Sequence, residues 1–419
     1  MTGPPDSRTA AAAPPPPGAP DPNRVAGTLP LLIVGQVALH AAMAGQRMAA
    51  PLQALEHGHS AWAVGVLLAL FAAMPVLTAM GAGRMADRHG YHRPLRVAVG
   101  FTMAGAAFAL PASGLPAPAR FALLCVGAAC SGVGANVGLI AIQRSAGHLA
   151  RTSTERMRVF SWLGMAPALA NVVGPVSAGF MIDAAGYSAA YAMLLAFPLL
   201  SLAIGRRVPV GPARLLGGGR SRQAAWALLA TPGMRRLLFV NWMLSASWDV
   251  HSFAVPVLGH ARGYSASTIG LVLGVFTAAV TLVRLVIPWL AHRLDEVRVL
   301  RLAMLLSGSV FVVYPFASTP WLMAGCAVLL GLTLGSVQPM VMSTLHHLTP
   351  EHQHGQAIAL RSVAINFSSS VMPLAFGLAG TALGPGVVFW LMGAAVVSGS
   401  FAAPGLRKAL GGRPGPPSG

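Results

Sequence analysis

The feature that most constrains the fold of this chain is a succession of about twelve apolar stretches, each long enough to cross a lipid bilayer as a helix. The stretch from Ala61 to Met80, for example, contains no charged residue. Composition agrees, since 55% of the residues are hydrophobic and 9% are charged, against about 25% charged residues in soluble domains. We therefore predict an all-α membrane protein with twelve transmembrane helices, at about residues 29–50, 61–82, 95–113, 119–143, 158–182, 187–205, 235–257, 266–290, 299–316, 321–345, 356–380 and 384–404.

The segments between the spans divide the chain into two halves. Residues 1–25 contain PPPPGAP and are too rich in proline and too polar for a signal peptide, so they are predicted to be a disordered tail. A glycine-rich, basic linker is predicted at residues 208–233. It separates two six-helix bundles, 26–207 and 234–408, and residues 409–419 form a second tail.

The positive residues behind the net charge of +18 lie mainly in every second loop between the spans. Arginines cluster in loops that follow even-numbered spans, as at 84–96 and 206–236, whereas the other side keeps only Arg120 and Arg262. By the positive-inside rule, both termini and both tails are predicted to be cytoplasmic. The charge therefore indicates a lipid bilayer as partner, and not nucleic acid. Three arginines lie within the spans and do not report topology: Arg47, Arg284 and Arg361.

The two halves also align with each other. A shift of 205 residues superimposes GHSAWAVGVLLALF, residues 58–71, on GYSASTIGLVLGVF, residues 263–276. The same shift pairs polar and proline positions outside this segment: Gln36 with Asn241, Pro51 with Pro256, and Arg88 with Arg293. Parallel repeats of this kind occur in secondary transporters, whose binding site lies near the membrane midplane between the repeats. We therefore predict two pseudo-symmetric six-helix bundles with a shared central site.

The loop between spans two and three carries a longer motif, GAGRMADRHGYHR, at residues 81–93. Its opening reads G-x-G-x-x-A, but a dinucleotide site needs a short strand before the glycines, and twenty apolar residues precede them here. The rest of the motif follows the order G-x-x-x-D-R-x-G, with one more arginine just beyond: Gly83, Asp87, Arg88, Gly90 and Arg93. This pattern resembles the signature of the major facilitator superfamily, and the resemblance covers residues 27–408.

The resemblance implies a twelve-helix transporter that works by alternating access, with a conformational gate at this loop. In the family this aspartate pairs with an arginine of the other half when the cytoplasmic side is closed. Arg361, near the start of span eleven, is the corresponding candidate for Asp87. The alternative is that Gly81 and Gly83 only permit close helix packing and that the arginines only fix topology.

Span five carries a second motif, ANVVGPVSAG, at residues 170–179. It resembles the antiporter signature G-x-x-x-G-P-x-x-G-G of the same family. Gly174, Pro175 and Gly179 match this signature, and alanine stands at the other two glycine positions. The motif favours antiport, although glycine and proline also bend and pack membrane helices. Ala128 stands where efflux members often carry an arginine in span four, so the usual proton-coupling scheme of those members does not transfer directly.

Polar side chains within spans are costly and usually face the bundle interior or a water-filled cavity. Two sets each follow one stripe of a predicted helix: Gln36, His40 and Arg47 in span one, and Asn241, Ser245, Asp249 and Ser252 in span seven. The shift of 205 residues superimposes three positions of one stripe on the other, which predicts a single substrate cavity between the halves. Further cavity candidates lie on spans four, five, ten and eleven: Asn136, Asn171, Gln338 and Asn366.

Asp249 is the only carboxylate near the middle of a predicted span, and we expect it to couple transport to protons. Burial disfavours the charged form, so the group can be neutral when enclosed and charged when it meets water. Arg47 is a candidate counter-ion or contact for an anionic substrate, unless it lies at the outer rim and reaches water. His40 is the second coupling candidate, or else a hydrogen-bonded core histidine. A structural Asp249, bonded to Trp or Asn side chains, is the alternative.

Other function classes lack their sequence signals. GGGRS at 217–221 lacks the lysine and the spacing of a phosphate loop. The loop histidines His346, His347, His352 and His354 have only Glu351 near them, and Cys125, Cys130 and Cys326 lie in apolar runs. We therefore expect neither an enzyme nor a bound metal or cofactor. The predicted function is proton-coupled efflux of a small organic molecule by a monomeric secondary transporter in the bacterial inner membrane. The alternatives are proton-coupled uptake of a small organic anion or metabolite, and a sensor with the same fold.

Overall fold

The computed structural model describes residues 22–149, 153–209, 227–290, 294–350 and 353–406. Within these ranges the chain is almost entirely helical and contains no strand, as predicted. Most of the predicted first tail, the second tail, most of the predicted linker and Arg293 lie outside the described residues. The first helix begins at Pro22, within the range predicted as the first tail.

The helices of the described chain correspond in order to the predicted spans. They are α1 (Pro22–Glu56), α2 (Ala61–His89), α3 (His92–Ala109), α4 (Ala117–Leu149), α5 and α6 (together Ser153–Gly205), α7 (Met234–Ala261), α8 (Ala266–Leu290), α9 (Glu296–Val313), α10 (Pro320–Gly335, continued by Val337–Leu348), α11 (His354–Leu383) and α12 (Pro385–Gly399). The break between α5 and α6 falls at Gly186, whose φ of 82° and ψ of 176° belong to a region that only glycine adopts readily. The turn therefore separates spans five and six where the sequence predicted it.

Ten segments of the described chain are long and apolar enough to cross a membrane. One of them, Trp162–Gly205, has 44 residues and therefore suffices for two crossings with a turn at Gly186. Helix α7 is not among the ten although it has 28 residues. Its polar side chains, including Asn241, Asp249 and His251, lower its mean hydropathy. Twelve spans are thus accounted for, and the most polar of them is the one that carries the predicted coupling residue.

Packing between helices repeats in the two halves. In the first half α1 packs against α5 and α6, and α3 and α2 pack against α4. In the second half α7 packs against α11, α8 against α10, and α9 against α12. The halves meet mainly through two helix pairs, α2 with α11 and α5 with α8. Shifting each helix by six positions converts one pair into the other, so the interface has the pseudo-symmetry that the internal repeat predicts.

The halves contact each other closely at only one end of the bundle, within the described residues. We call the end with loop 57–60 the arginine-poor face, and the opposite end, with Arg88 and Arg93, the arginine-rich face. Near the arginine-poor face, Gly65 of α2 packs so closely on the carbonyl of Pro373 in α11 that a Cβ would collide with it. Five turns further along the same side of α2, a Cβ on Gly83 would have no neighbour within 4 Å. The interface therefore opens toward the arginine-rich face.

Candidate functional site

The carboxylate of Asp249 lies in the middle of α7 and is 4% exposed. Its Oδ2 accepts a hydrogen bond of 3.0 Å from the hydroxyl of Ser368, and its Oδ1 accepts one of 3.1 Å from Ser369. Both serines belong to α11, so the carboxylate joins two helices of the second half. The partners are neither the Trp nor the Asn side chains that we considered for a structural aspartate. Serine hydroxyls satisfy the carboxylate oxygens without neutralising the charge.

Arg47 of α1 is the cation whose charge interacts with Asp249. The two groups form no ion pair within 4 Å among the described residues, and the Nε of Arg47 is buried without a hydrogen-bond partner. Arg47 lines a small cavity of about 40 Å³ between the halves, together with Asn171, Trp248, Ser252 and Thr277. This volume has room for ordered water. Arg47 therefore faces the interior between α1, α5, α7 and α8, and not the outer rim.

The equivalent polar residues Gln36 and Asn241 are both almost completely buried. Gln36 Nε2 lies 3.3 Å from His40 Nδ1, so the first two residues of the predicted stripe in span one interact. Asn241 Oδ1 accepts a hydrogen bond of 3.1 Å from Arg361 Nε, while its Nδ2 has no partner. These pairs lie within their own halves. Ser245, the next residue of the stripe in span seven, is half-buried.

The remaining residues predicted to line the cavity lie in different parts of the structure. Asn136 of α4 donates to the carbonyl of Pro75 at 3.1 Å and so ties α4 to α2. Asn171 donates to the carbonyl of Pro167 at 2.8 Å and lines the small cavity beside Arg47. Gln338 lines a different cavity, of about 510 Å³, between α5, α8 and α10. Asn366 is exposed on α11, one residue before the run that contains Ser368 and Ser369.

The two charged residues predicted to pair at the gate, Asp87 and Arg361, each contact a residue of their own half instead. Asp87 Oδ1 forms an ion pair of 3.0 Å with Arg144 Nε of α4, and Arg361 is bonded to Asn241. Helix α2 ends at Gly90, whose φ of 66° is in the left-handed range, and Arg93 Nη1 lies 2.6 Å from His89 Nε2. Arg88 is exposed. The Asp87 to Arg361 pair was predicted for a state closed at this face, which is open here, so that pair stays a prediction.

The motif of span five packs α5 against α1 of its own half and against α8 of the other half. A Cβ at Gly174 would collide with the carbonyl of Ala41 in α1, and a Cβ at Gly179 would collide with that of Ala266 in α8. The carbonyl of Pro175 faces Gly270 of α8 at similarly close range. The motif therefore brings three helices together near the arginine-poor face.

Four residues were not predicted from the sequence to contribute to these sites. Ser368 and Ser369 lie in the run FSSSVMP, whose three consecutive serines in an apolar span were a usable signal. Asp183, at the end of the α5 segment, accepts hydrogen bonds from the backbone N–H groups of Ala266 and Ser267 at 3.0 and 2.9 Å. It therefore links the halves at the arginine-poor face. Arg284 lines the 510 Å³ cavity with Gln338.

Comparison with known proteins identifies the family. The model of the Major Facilitator Superfamily matches residues 32–246 and 237–418, and the chain belongs to this family of membrane transporters. It is 28% identical over 331 residues to a tetracycline resistance protein, class G, of Vibrio anguillarum, over 74% of this chain and 79% of that protein.

Solved structures of transporters share the fold at low sequence identity. A peptide transporter POT in complex with sulfate matches with a TM-score of 0.73 and 13% identity, covering 94% of this chain and 99% of that one. A variant of the nucleoside transporter NupG matches with a TM-score of 0.70 and 13% identity, covering 90% and 99%. The fold of twelve helices in two halves is thus that of the family, and the chain is a transporter and not an enzyme.

Proposed function

We propose that this transporter exports a small organic molecule by alternating access and that proton movement through Asp249 drives it. The observation that carries the proposal is the position of Asp249: a nearly buried carboxylate on α7 is held by α11, a helix that also forms the contact with the other half. A change in its protonation changes the bonds that position α11.

Three observations support export as the direction of transport. The positive-inside rule assigns the arginine-rich face to the cytoplasm, so the interior described above opens to the cytoplasm of a bacterial inner membrane. Such a state can take up substrate from inside the cell. The span-five motif favours antiport, and the similarity to a tetracycline resistance protein favours export. A single chain contains both halves and the cavity between them, so we propose a monomer.

The coupling scheme uses two charges on opposite halves. Arg47 belongs to the first half and Asp249 to the second, and their charges interact across the interior. Protonation removes the negative charge and one acceptor site of the carboxylate. The attraction between the halves at this level then weakens, which favours their separation. Substrate binding and the protonation of Asp249 are coupled when both change the charge balance between the halves.

Transport into oriented vesicles tests the proposal. A panel of metabolites and drugs is offered to inverted and right-side-out vesicles, and we expect accumulation in inverted vesicles when the lumen is acidic. Asp249→Asn should keep counterflow exchange and lose accumulation driven by the pH gradient. Asp295→Asn, which removes a carboxylate that caps α9 at the surface, is the matched control and should keep both.

Other outcomes redirect the proposal. If Asp249→Asn accumulates substrate at the wild-type rate, Asp249 is not the coupling residue and the same test moves to His40. Accumulation in right-side-out vesicles alone identifies an uptake permease. Absence of counterflow with every compound identifies a sensor.

A further inference from the structure

Two arginines of the second half lie within membrane spans, where charges act on each other over a longer range than in water. Arg284 belongs to the span Ala266–Ile287 and Arg361 to the span Gln356–Leu383. The Nε of Arg284 is buried without a hydrogen-bond partner, and the Nε of Arg361 donates to the neutral amide of Asn241. Neither forms an ion pair within the described part of the chain.

The carboxylates of the described residues are engaged elsewhere. Asp87 pairs with Arg144, Asp249 is bonded by two serines, and Asp183 is bonded by backbone groups of α8. Asp295 caps α9, and Glu296 accepts a hydrogen bond from Ser343. Glu56 is hydrogen-bonded to Tyr187, and Glu155 has a partner of its own. Cations in a membrane interior are costly and are usually paired or mark a substrate pathway. Two neighbouring cations without a carboxylate therefore require an anion that this part of the chain does not supply.

The space beside Arg284 has the size and lining of an organic ligand site. The cavity of about 510 Å³ lies within the common range for small-molecule sites, about 300–1,000 Å³. Arg284 and Gln338 supply its donors, and the rest of the wall is largely apolar, including Trp162, Met165 and Met342. Trp162 and Met165 belong to the first half and the polar residues to the second. A molecule bound here contacts both halves, as a transported substrate must.

We propose that Arg284, supported by the neighbouring charge of Arg361 and by Gln338, binds the oxyanion group of an organic anion whose apolar body lies against Trp162 and Met165. This inference rests on the proposed transport function and narrows its substrate class to amphipathic carboxylates or phosphates. An arginine fork suits both groups because it donates two parallel hydrogen bonds. Binding also offsets part of the positive charge in this part of the bundle.

The first test measures stability and binding without any ion gradient. Purified protein in phosphatidylcholine nanodiscs is titrated with 2-naphthoate and phenyl phosphate, and with the neutral analogues 2-naphthamide and phenol. We expect the anions to raise the Tm of the wild type and to bind at least about tenfold more tightly than the neutral analogues, the scale expected for a hydrogen-bonded charge. Arg284→Gln should abolish this difference, Arg284→Lys should retain part of it, and Arg206→Gln, an exposed arginine at the end of α6, should retain all of it.

The ligand-free Tm separates a binding arginine from a structural one. Because Arg284→Gln removes an uncompensated cation, its Tm without anion should equal or exceed that of the wild type. A lower Tm, or anions that stabilise Arg284→Gln as much as the wild type, overturns the proposal. So does a panel in which no anion stabilises the wild type.

Lipid phosphate is the other source of the same chemistry. If nanodiscs with phosphatidylglycerol raise the Tm of the wild type and remove its response to 2-naphthoate, the site holds a lipid headgroup and the substrate assignment is wrong. Anion binding without transport counts against the proposed function alone. Proton-driven transport of neutral compounds that Arg284→Gln leaves intact, without anion binding, counts against this inference alone.

Discussion

The bond between Asp183 and the start of α8 offers the sharpest test of how the halves are held. Its carboxylate accepts two backbone N–H groups, from Ala266 and Ser267, across the interface. Hydrogen bonds to a charged group contribute about 1.5–3 kcal/mol each, and loss of a helix N-terminal acceptor costs about 1 kcal/mol. Because Asp183 is exposed, we take about 1–2 kcal/mol for the pair. Asp183→Ala should therefore shift the equilibrium away from the described state by about 5- to 30-fold.

Spin labels on Ser60→Cys and Ala382→Cys report this shift, because both exposed positions lie at the arginine-poor face on opposite halves. The native cysteines are replaced first. Double electron–electron resonance in nanodiscs should show a longer distance whose population rises in Asp183→Ala relative to the parent. Asp295→Ala is the matched control, since Asp295 accepts a backbone N–H, from Arg298, within one half at 2.8 Å. If the two variants give the same populations within about twofold, Asp183 does not hold the halves together.

Three further predictions use other contacts of the described chain. Gly179→Val should also shift the equilibrium away from the described state, because the new side chain collides with the carbonyl of Ala266. The same spin labels should report this shift, and unchanged populations contradict the close packing. Asn136→Ala should lower the Tm by a few degrees through loss of about 1 kcal/mol from its bond to Pro75, without changing substrate affinity, and a large loss of affinity would place Asn136 in the substrate cavity. Asp87→Asn should slow transport without abolishing binding, and exchanging the charges of Asp87 and Arg361 should restore part of the rate. Normal transport by Asp87→Asn refutes the gate.

Much of the architecture was predictable because bilayer length and charge asymmetry act on whole segments. The spans followed from bilayer length, the two halves from the internal repeat and the family from the motif at residues 81–93, and the structure and the comparisons confirm the fold and the family. The partners of Asp249 were not predictable in the same way. Ser362 and Ser370 donate to carbonyls of their own helix, at Ile358 and Asn366, whereas Ser368 and Ser369 reach across to α7.

A serine in an apolar helix can satisfy its hydroxyl on its own backbone, so its type alone does not predict a contact between helices. Arg284 illustrates a different limit. Its span and charge were visible in the sequence, but the lack of a carboxylate partner depends on where each of the few acidic residues of the described chain lies in three dimensions. The same limit applied to Arg47, because its position between the halves follows only from how four helices pack together.

Helix α11 connects the features on which both proposals depend. From the arginine-rich to the arginine-poor face it carries Arg361, then Ser369 bonded to Asp249, then Pro373 packed on α2, and finally Thr381, whose hydroxyl accepts the backbone N–H of Trp62 at 2.9 Å. Proline has no N–H, so the carbonyl of Ser369, four residues earlier, loses its helical donor. The helix is therefore weakest where Asp249 is bonded to it. A change of charge on that carboxylate acts at this weak point, between the arginine end of the helix and the end that closes against the other half.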